Sequence, residues 1–161
     1  MADRISTLEA ELVRHGANDA RRARRFHGLM AAALGLDEEQ WQPWEDELGH
    51  VCDVEQALSS LADLADAAPE TVRGMVADPH QARRLVRVLG GSAELGKYLT
   101  AHPNALDVLA AEPEQWSAEQ IRTDLLSSVS AIEQDGFLVS QADPARGADE
   151  LRLANRRHLL R

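Results

Sequence analysis

His50, Cys52, Asp53 and Glu55 place four potential metal ligands within six consecutive residues. A protein-held zinc ion needs a second ligand pair at defined spacing, such as HxxxH or CxxC, to complete a tetrahedral set. The other histidines, His15, His27, His80, His102 and His158, are isolated singles. The plainer reading is a loop end whose Asp53 caps the next helix, and no metal ligand is assigned. Arg21, Arg22, Arg24 and Arg25 form the densest basic cluster, which could face a phosphate or an acidic partner. Ala23 and Phe26 interleave with them at core spacing, so the cluster reads first as a solvated helix face. Arg21, Arg22 and Arg25 are kept as candidate partner contacts.

Gly90, Gly91 and Ser92 stand ahead of a helix, where free amides attract anions. The element before them is helical and no GK[ST] or GxGxxG follows, so a turn between two helices accounts for them. No Ser, His and Asp set, and no Cys and His set, is marked by a nucleophile turn. Trp41 and Trp44 read as core residues. No catalytic and no cofactor-binding residue is assigned to this chain.

The elements that must position these residues are helices. Leu and Ala dominate, aromatics are only 4%, and β-branched residues are scattered, so local preference favours helix almost everywhere. A chain of 161 residues is long enough for one domain with its own core. With 27 acidic and 17 basic side chains, the net charge of -10 disfavours nucleic acid as a partner. The lone Cys52 forms no internal disulfide and points to a reducing compartment, the cytoplasm. No apolar stretch approaches the roughly 20 residues that span a bilayer, and no signal core precedes the first helix, so no membrane partner is expected.

Along the chain, Ser6 and Glu9 have capping-box spacing for a helix that Gly16 stops. Asn18 or Asp19 caps a second, ended by Gly35, and Asp37 begins a third carrying Trp41, Trp44 and Leu48. Asp53 caps an amphipathic helix through Asp66 with Val54, Ala57, Leu58, Leu61, Leu64 and Ala65 on one face. Pro69 opens a helix to Ala77. Asp78 and Pro79 open another to Leu89, broken by Gly90 and Gly91. Ser92 caps a helix to Ala101, and His102 and Pro103 start a short one with Leu106 and Leu109. Glu112 to Trp116 reads as a turn. Ser117 and Gln120 have the spacing of a capping box for a helix along which Ile121, Leu125, Val129 and Ile132 recur. Residues 133–147 read as a loop around the apolar run Phe137 to Val139, and 148–161 as a last helix with no closing residue. In that helix Leu151, Ala154 and His158 form one apolar side, and Leu153 and Leu160 the other. The expected fold is all-α, a single compact multi-helix bundle of about eight to ten short helices. Its last helix, truncated at Arg161, would face a domain beyond the chain.

The segment LGGSAELGKYLTAHPNALDVLAAEP, Leu89 to Pro113, resembles the N-terminal region of the bifunctional glutamine synthetase adenylyltransferase and adenylyl-removing enzymes, where a Gly-Ser helix start leads to an HP and a short Leu-rich helix. ELRLANRRHLLR from Glu150 is similar to that family's next landmark, the helix that introduces its first nucleotidyltransferase domain. GANDARRARRF from Gly16 and DVEQALSSLADLAD from Asp53 resemble the leader of high-GC bacterial members.

The resemblance implies a part in nitrogen regulation. The family transfers AMP from ATP to a tyrosine of glutamine synthetase, and removes it by phosphorolysis in a second domain, under glutamine and a PII signalling protein. Its metal-binding carboxylates lie in a GxGKxGxxE turn and an SDxD strand, and neither motif is in this chain. Asp53 and Glu55, and Asp63 with Asp66, imitate them only in composition. The resemblance thus implies residues 1–161 as a non-catalytic helical region bracing the adenylyl-removing domain, inactive alone. ATP and Mg are expected for the parent enzyme, with glutamine synthetase and the PII protein as its partners. The contact with the downstream domain is expected at Leu153, Arg156, Arg157 and Leu160. The alternative is a free-standing helical protein-interaction module.

Overall fold

Asp53, Asp78, Ser92 and Ser117 each turn a side-chain oxygen back onto a helix's first free amides, which have no partner inside the helix. Asp53 accepts from Gln56 N at 2.8 Å, and Asp78 from His80 N at 2.8 Å and Gln81 N at 3.2 Å. Ser92 accepts from Leu95 N at 3.3 Å. Ser117 completes a reciprocal capping box, accepting from Gln120 N while its own amide donates to the Gln120 side chain. These caps fix where the elements begin in a computed structural model that describes residues 2–36, 40, 45–112 and 115–160.

The described helices are α1 (Ala2–Arg14), α2 (Ala20–Leu34), α3 (Val54–Ala67), α4 (Pro69–Ala77), α5 (Pro79–Gly91), α6 (Ala93–Ala101), a 3-10 turn (Pro103–Ala105), α7 (Leu106–Ala110), α8 (Ala118–Ser128) and α9 (Pro144–Leu160). Between α8 and α9 an antiparallel hairpin joins β1 (Ala131–Gln134) to β2 (Phe137–Ser140). The all-α class stands. The single-bundle expectation is refined into two compact units, Met1–Ala110 and Ala111–Arg161.

In the first unit α3 is central and packs against α2, α4, α5 and α6. Its expected face is buried in full: Val54, Ala57, Leu58, Leu61, Leu64 and Ala65. Met30 and Leu34 of α2, Val72 and Met75 of α4, Leu85 and Leu89 of α5, and Leu99 of α6 are also buried. Each such side chain stabilises the fold by about 1.5–3 kcal/mol relative to exposure.

Several expectations are corrected. Ser6, expected at the start of the first helix, lies inside α1, which already begins at Ala2. Gly90 and Gly91 do not break α5, which runs through Gly91. Gly90 is instead a contact point: a Cβ there would stand 2.7 Å from Val51 Cβ and 3.2 Å from Asp53 O. The Gly90 carbonyl in turn accepts from Asp53 N at 3.2 Å, which pins the start of α3 to the end of α5. Asp37, Trp41, Pro43 and Trp44 lie outside the described residues, as do Pro113 and Glu114 of the expected turn. Of that third helix, residue 40 and residues 45–48 are helical, and Leu48 is buried.

In the second unit α8 ends at Ser128, so Val129 falls outside the helix and Ile132 belongs to β1. The expected loop at 133–147 holds most of the hairpin and the start of α9. Asp135 and Gly136 both take positive φ, 52° and 79°, the geometry of a two-residue hairpin turn. Helix α9 starts at Pro144, with Asp143 accepting from Ala145 N at 3.1 Å and Arg146 N at 3.3 Å. Among the described residues, no helix is long and apolar enough to cross a membrane.

Candidate functional site

The arginine cluster is set out by the start of α2, where Asp19 accepts from Arg22 N at 3.0 Å. The Asp19 amide donates to the Glu55 carboxylate, which couples this start to α3. One turn of helix then separates the four arginines into different roles. Arg24 Nε lies 3.3 Å from Glu9 Oε1 and ties α2 to α1. The Arg22 guanidinium sits 5.5 Å from the centre of the Phe26 ring, a cation–π contact along its own helix. Arg21 and Arg25 are exposed, one turn apart on the same face, and have no ion-pair partner among the described residues. The candidate partner surface thus reduces to these two, with Arg22 beside them.

Of the residues read as possible ligands, two carboxylates are engaged elsewhere, and His50 is exposed. Asp53 is a cap, Glu55 holds the Asp19 amide, and Cys52 is exposed. Ser92 Oγ is taken by the Leu95 amide at the start of α6. Among the described residues, no three His, Cys, Asp or Glu side chains gather as a metal set. Asp63 and Asp66 line an open groove of about 450 Å³ with Ser60, Gly96, Lys97 and Thr100. At its floor Gly96 lets α6 approach α3 closely: a Cβ on it would meet Ser60 Oγ at 2.7 Å. Lys97 is paired with Glu94 on its own helix at 3.1 Å.

On α9 the two expected sides are redistributed. Gly147, Ala154 and Leu160 are buried, and Leu153 is half-buried. Leu160, expected to face outward to a neighbour, is therefore covered. Leu151, expected inward, is exposed, and so is Leu159 at 61%. His158 does face inward, its side chain only 7% exposed, with Nε2 2.9 Å from Asp124 Oδ2 of α8. The Trp116 ring lies against it, centroids 5.2 Å apart at 59°. Arg157 is exposed, and Arg156 is half-buried and engaged.

Two polar clusters escaped sequence reasoning because their partners are far apart in the chain. One is the Trp116, Asp124 and His158 cluster. The other is Glu47, buried, with Arg83 Nε at 2.7 Å and Arg87 Nη2 at 3.5 Å. Arg84 donates to the Leu109 carbonyl at 2.7 Å and closes the end of α7. The spacing of Arg83 and Arg87 marks one helix face, but only the fold supplies Glu47.

No family model matches the chain, and no solved structure does. Among curated proteins, a Cutibacterium acnes protein named bifunctional glutamine synthetase adenylyltransferase/adenylyl-removing enzyme is 37% identical over 159 residues. That alignment takes in 99% of this chain and 16% of the relative. A protein of the same name from Bifidobacterium longum subsp. infantis is 31% identical over 156 residues, 92% of this chain and 14% of the relative. The chain spans about one sixth of the length of these relatives. Along nearly its whole length, the chain is a homologue of one part of the bifunctional glutamine synthetase adenylyltransferase/adenylyl-removing enzymes.

Proposed function

We propose that this chain is the helical N-terminal part of an enzyme that adenylylates and deadenylylates glutamine synthetase in nitrogen regulation, and that it acts without catalytic residues of its own. Its task is to brace the adenylyl-removing nucleotidyltransferase domain. The observation that carries this reading is the match of 99% of the chain, at 37% identity, to a relative six times its length. The side chains support it: Asp53, Glu55 and Ser92, which composition offers as chemistry, are spent on caps and helix-to-helix contacts.

Contact with the downstream domain falls to Leu153 and Arg157 on α9. Leu160 and Arg156, engaged within the chain, hold that helix in place. ATP and Mg belong to the parent's catalytic domains, where paired carboxylates hold the ions. Glutamine synthetase and a PII signalling protein are the parent's partners, and the cytoplasm is its compartment.

Calorimetric titration of ATP with Mg into the 161-residue chain tests the first half of the proposal. No binding is expected, and micromolar binding counts against it. In the parent, Leu153→Glu with Arg157→Glu should lower adenylyl removal and spare adenylylation. Equal loss of both activities defeats the bracing role.

A second reading, a free-standing interaction module, draws on the exposed Arg21 and Arg25. Reading the gene beyond the codon for Arg161 separates the two. A glycine-rich turn and an SDxD strand belong to the first, and a stop codon to the second.

A further inference from the structure

Of the large apolar side chains that stand exposed among the described residues, most belong to the second unit: Ile132, Phe137, Leu138, Val139, Leu151 and Leu159, against Val13 and Leu29 in the first. The second unit is also poorly filled. Its buried residues are Gly147, Ala154 and Leu160, and α8 contributes none. A segment of this size buries little on its own, and exposed apolar surface concentrated in one place marks an interface.

The hairpin gives that surface a shape. Ile132 pairs with Val139 and Gln134 with Phe137, and residues two apart on one strand share a face. Ile132, Phe137 and Val139 therefore line one side of the ribbon, with Phe137 73% exposed. Among the described residues β1 and β2 pair only with each other, which leaves both outer edges open. A lone two-stranded ribbon is marginal in water. This one is held at its base, where Ser140 Oγ donates to Val129 O at 3.0 Å and Gly147 leaves room for Ala142 and Ser140.

We infer that the Ile132, Phe137 and Val139 face is a seat for another part of the same, longer polypeptide, covered in cis by an element with an apolar side. The inference rests on reading this chain as part of such a polypeptide. The occupant is argued from the relatives, of which the chain is 16% and 14%, so most of each polypeptide lies outside the aligned region. It is also argued from the gathering of apolar exposure in one unit while the first unit is well filled.

The test labels a cysteine placed on the face. Phe137→Cys in a Cys52→Ser background is treated with a maleimide in the isolated chain and in the full polypeptide of its gene, each referenced to its unfolded rate. Val139→Cys is run in parallel, and each variant is accepted only if its thermal melt matches the parent's. Labelling in the full polypeptide is expected to be at least about tenfold slower than in the isolated chain, because a covered side chain reacts only through local opening. Equal rates overturn the inference. Protection in the isolated chain that grows with concentration, with a dimer by sedimentation, assigns the face to a second copy and also overturns it. Protection that needs added glutamine synthetase does so as well, in favour of an external partner. A gene that stops at Arg161 removes the reading beneath the inference, a result distinct from equal labelling in a longer chain.

Discussion

His158 Nε2 lies 2.9 Å from Asp124 Oδ2 and joins α9 to α8 across 34 residues of sequence. The other ring nitrogen, Nδ1, is buried and has no hydrogen-bond partner among the described residues. The Asp124 contact is therefore the polar anchor, among the described residues, of a ring that is otherwise enclosed by Trp116 and the helix. In the neutral imidazole, Nε2 carries the proton toward Asp124 and Nδ1 is left as a bare acceptor.

Removing that anchor should loosen the second unit and leave the first untouched. Asp124→Ala leaves a buried imidazole without a partner, at a cost of about 1–3 kcal/mol. Amide hydrogen exchange should speed up through residues 118–128 and 144–160, with residues 54–67 unchanged. If exchange in α9 does not change, the contact is ornamental.

Gly90 and Gly74 should respond to alanine with opposite sign. Both lie in helices, where alanine gains about 0.5–1 kcal/mol over glycine. At Gly74 nothing stands within 4 Å of the added carbon, so Gly74→Ala should stabilise by about that amount. At Gly90 the new carbon would press on Val51 Cβ at 2.7 Å, and overpacking of about 1–3 kcal/mol outweighs the helical gain. Urea midpoints of the two variants should fall on either side of the parent. A stabilised Gly90→Ala contradicts the close approach of α5 to residues 51–53.

The helix starts at Asp53, Asp78, Ser92 and Ser117 were legible because a cap is local, a side chain reaching an amide two or three residues ahead. Asp143 and Pro144 repeat the device of Asp78 and Pro79, yet the sequence pattern points to a start at Ala148. The reason is Gly147, which as sequence reads as a helix breaker. In the fold it sits where a Cβ would meet Ala142 Cβ at 3.3 Å and Ser140 Oγ at 3.5 Å. Gly90 misled for the same reason. The hairpin carries its own signal, Asp135-Gly136 beside Phe137 to Val139, but the same residues also fit loop punctuation. Arg24 with Glu9, Arg83 with Glu47, and His158 with Asp124 pair across distances that no local pattern encodes.

The hairpin turn gives a third prediction. Gly136 sits at φ 79°, where a side chain is strained, and nothing stands within 4 Å to complicate the substitution. Gly136→Ala should cost about 1–2 kcal/mol of local stability from backbone strain alone. The amides of 131–140 should exchange faster while α8 keeps its protection. Equal loss of protection in both would mean that the ribbon and α8 open as one body.

The fourth prediction separates two ion pairs that share one carboxylate. Arg83 Nε meets Glu47 Oε1 at 2.7 Å, and Arg87 Nη2 approaches Oε2 at 3.5 Å, from side chains 45% and 54% exposed. Exposed arginines at such distances contribute about 0–1 kcal/mol, so Arg87→Ala should be nearly silent. Glu47 differs because its side chain is 12% exposed and Oε2 has no hydrogen bond among the described residues. Its carboxylate is tolerable there only while cations face it. Arg83→Ala with Arg87→Ala should then cost more than the sum of the single changes, by about 0.5–3 kcal/mol, because the second loss leaves the charge unpaired. Glu47→Gln should erase most of that coupling. Strict additivity in a double-mutant cycle would place Glu47 in contact with enough water to dispense with both arginines.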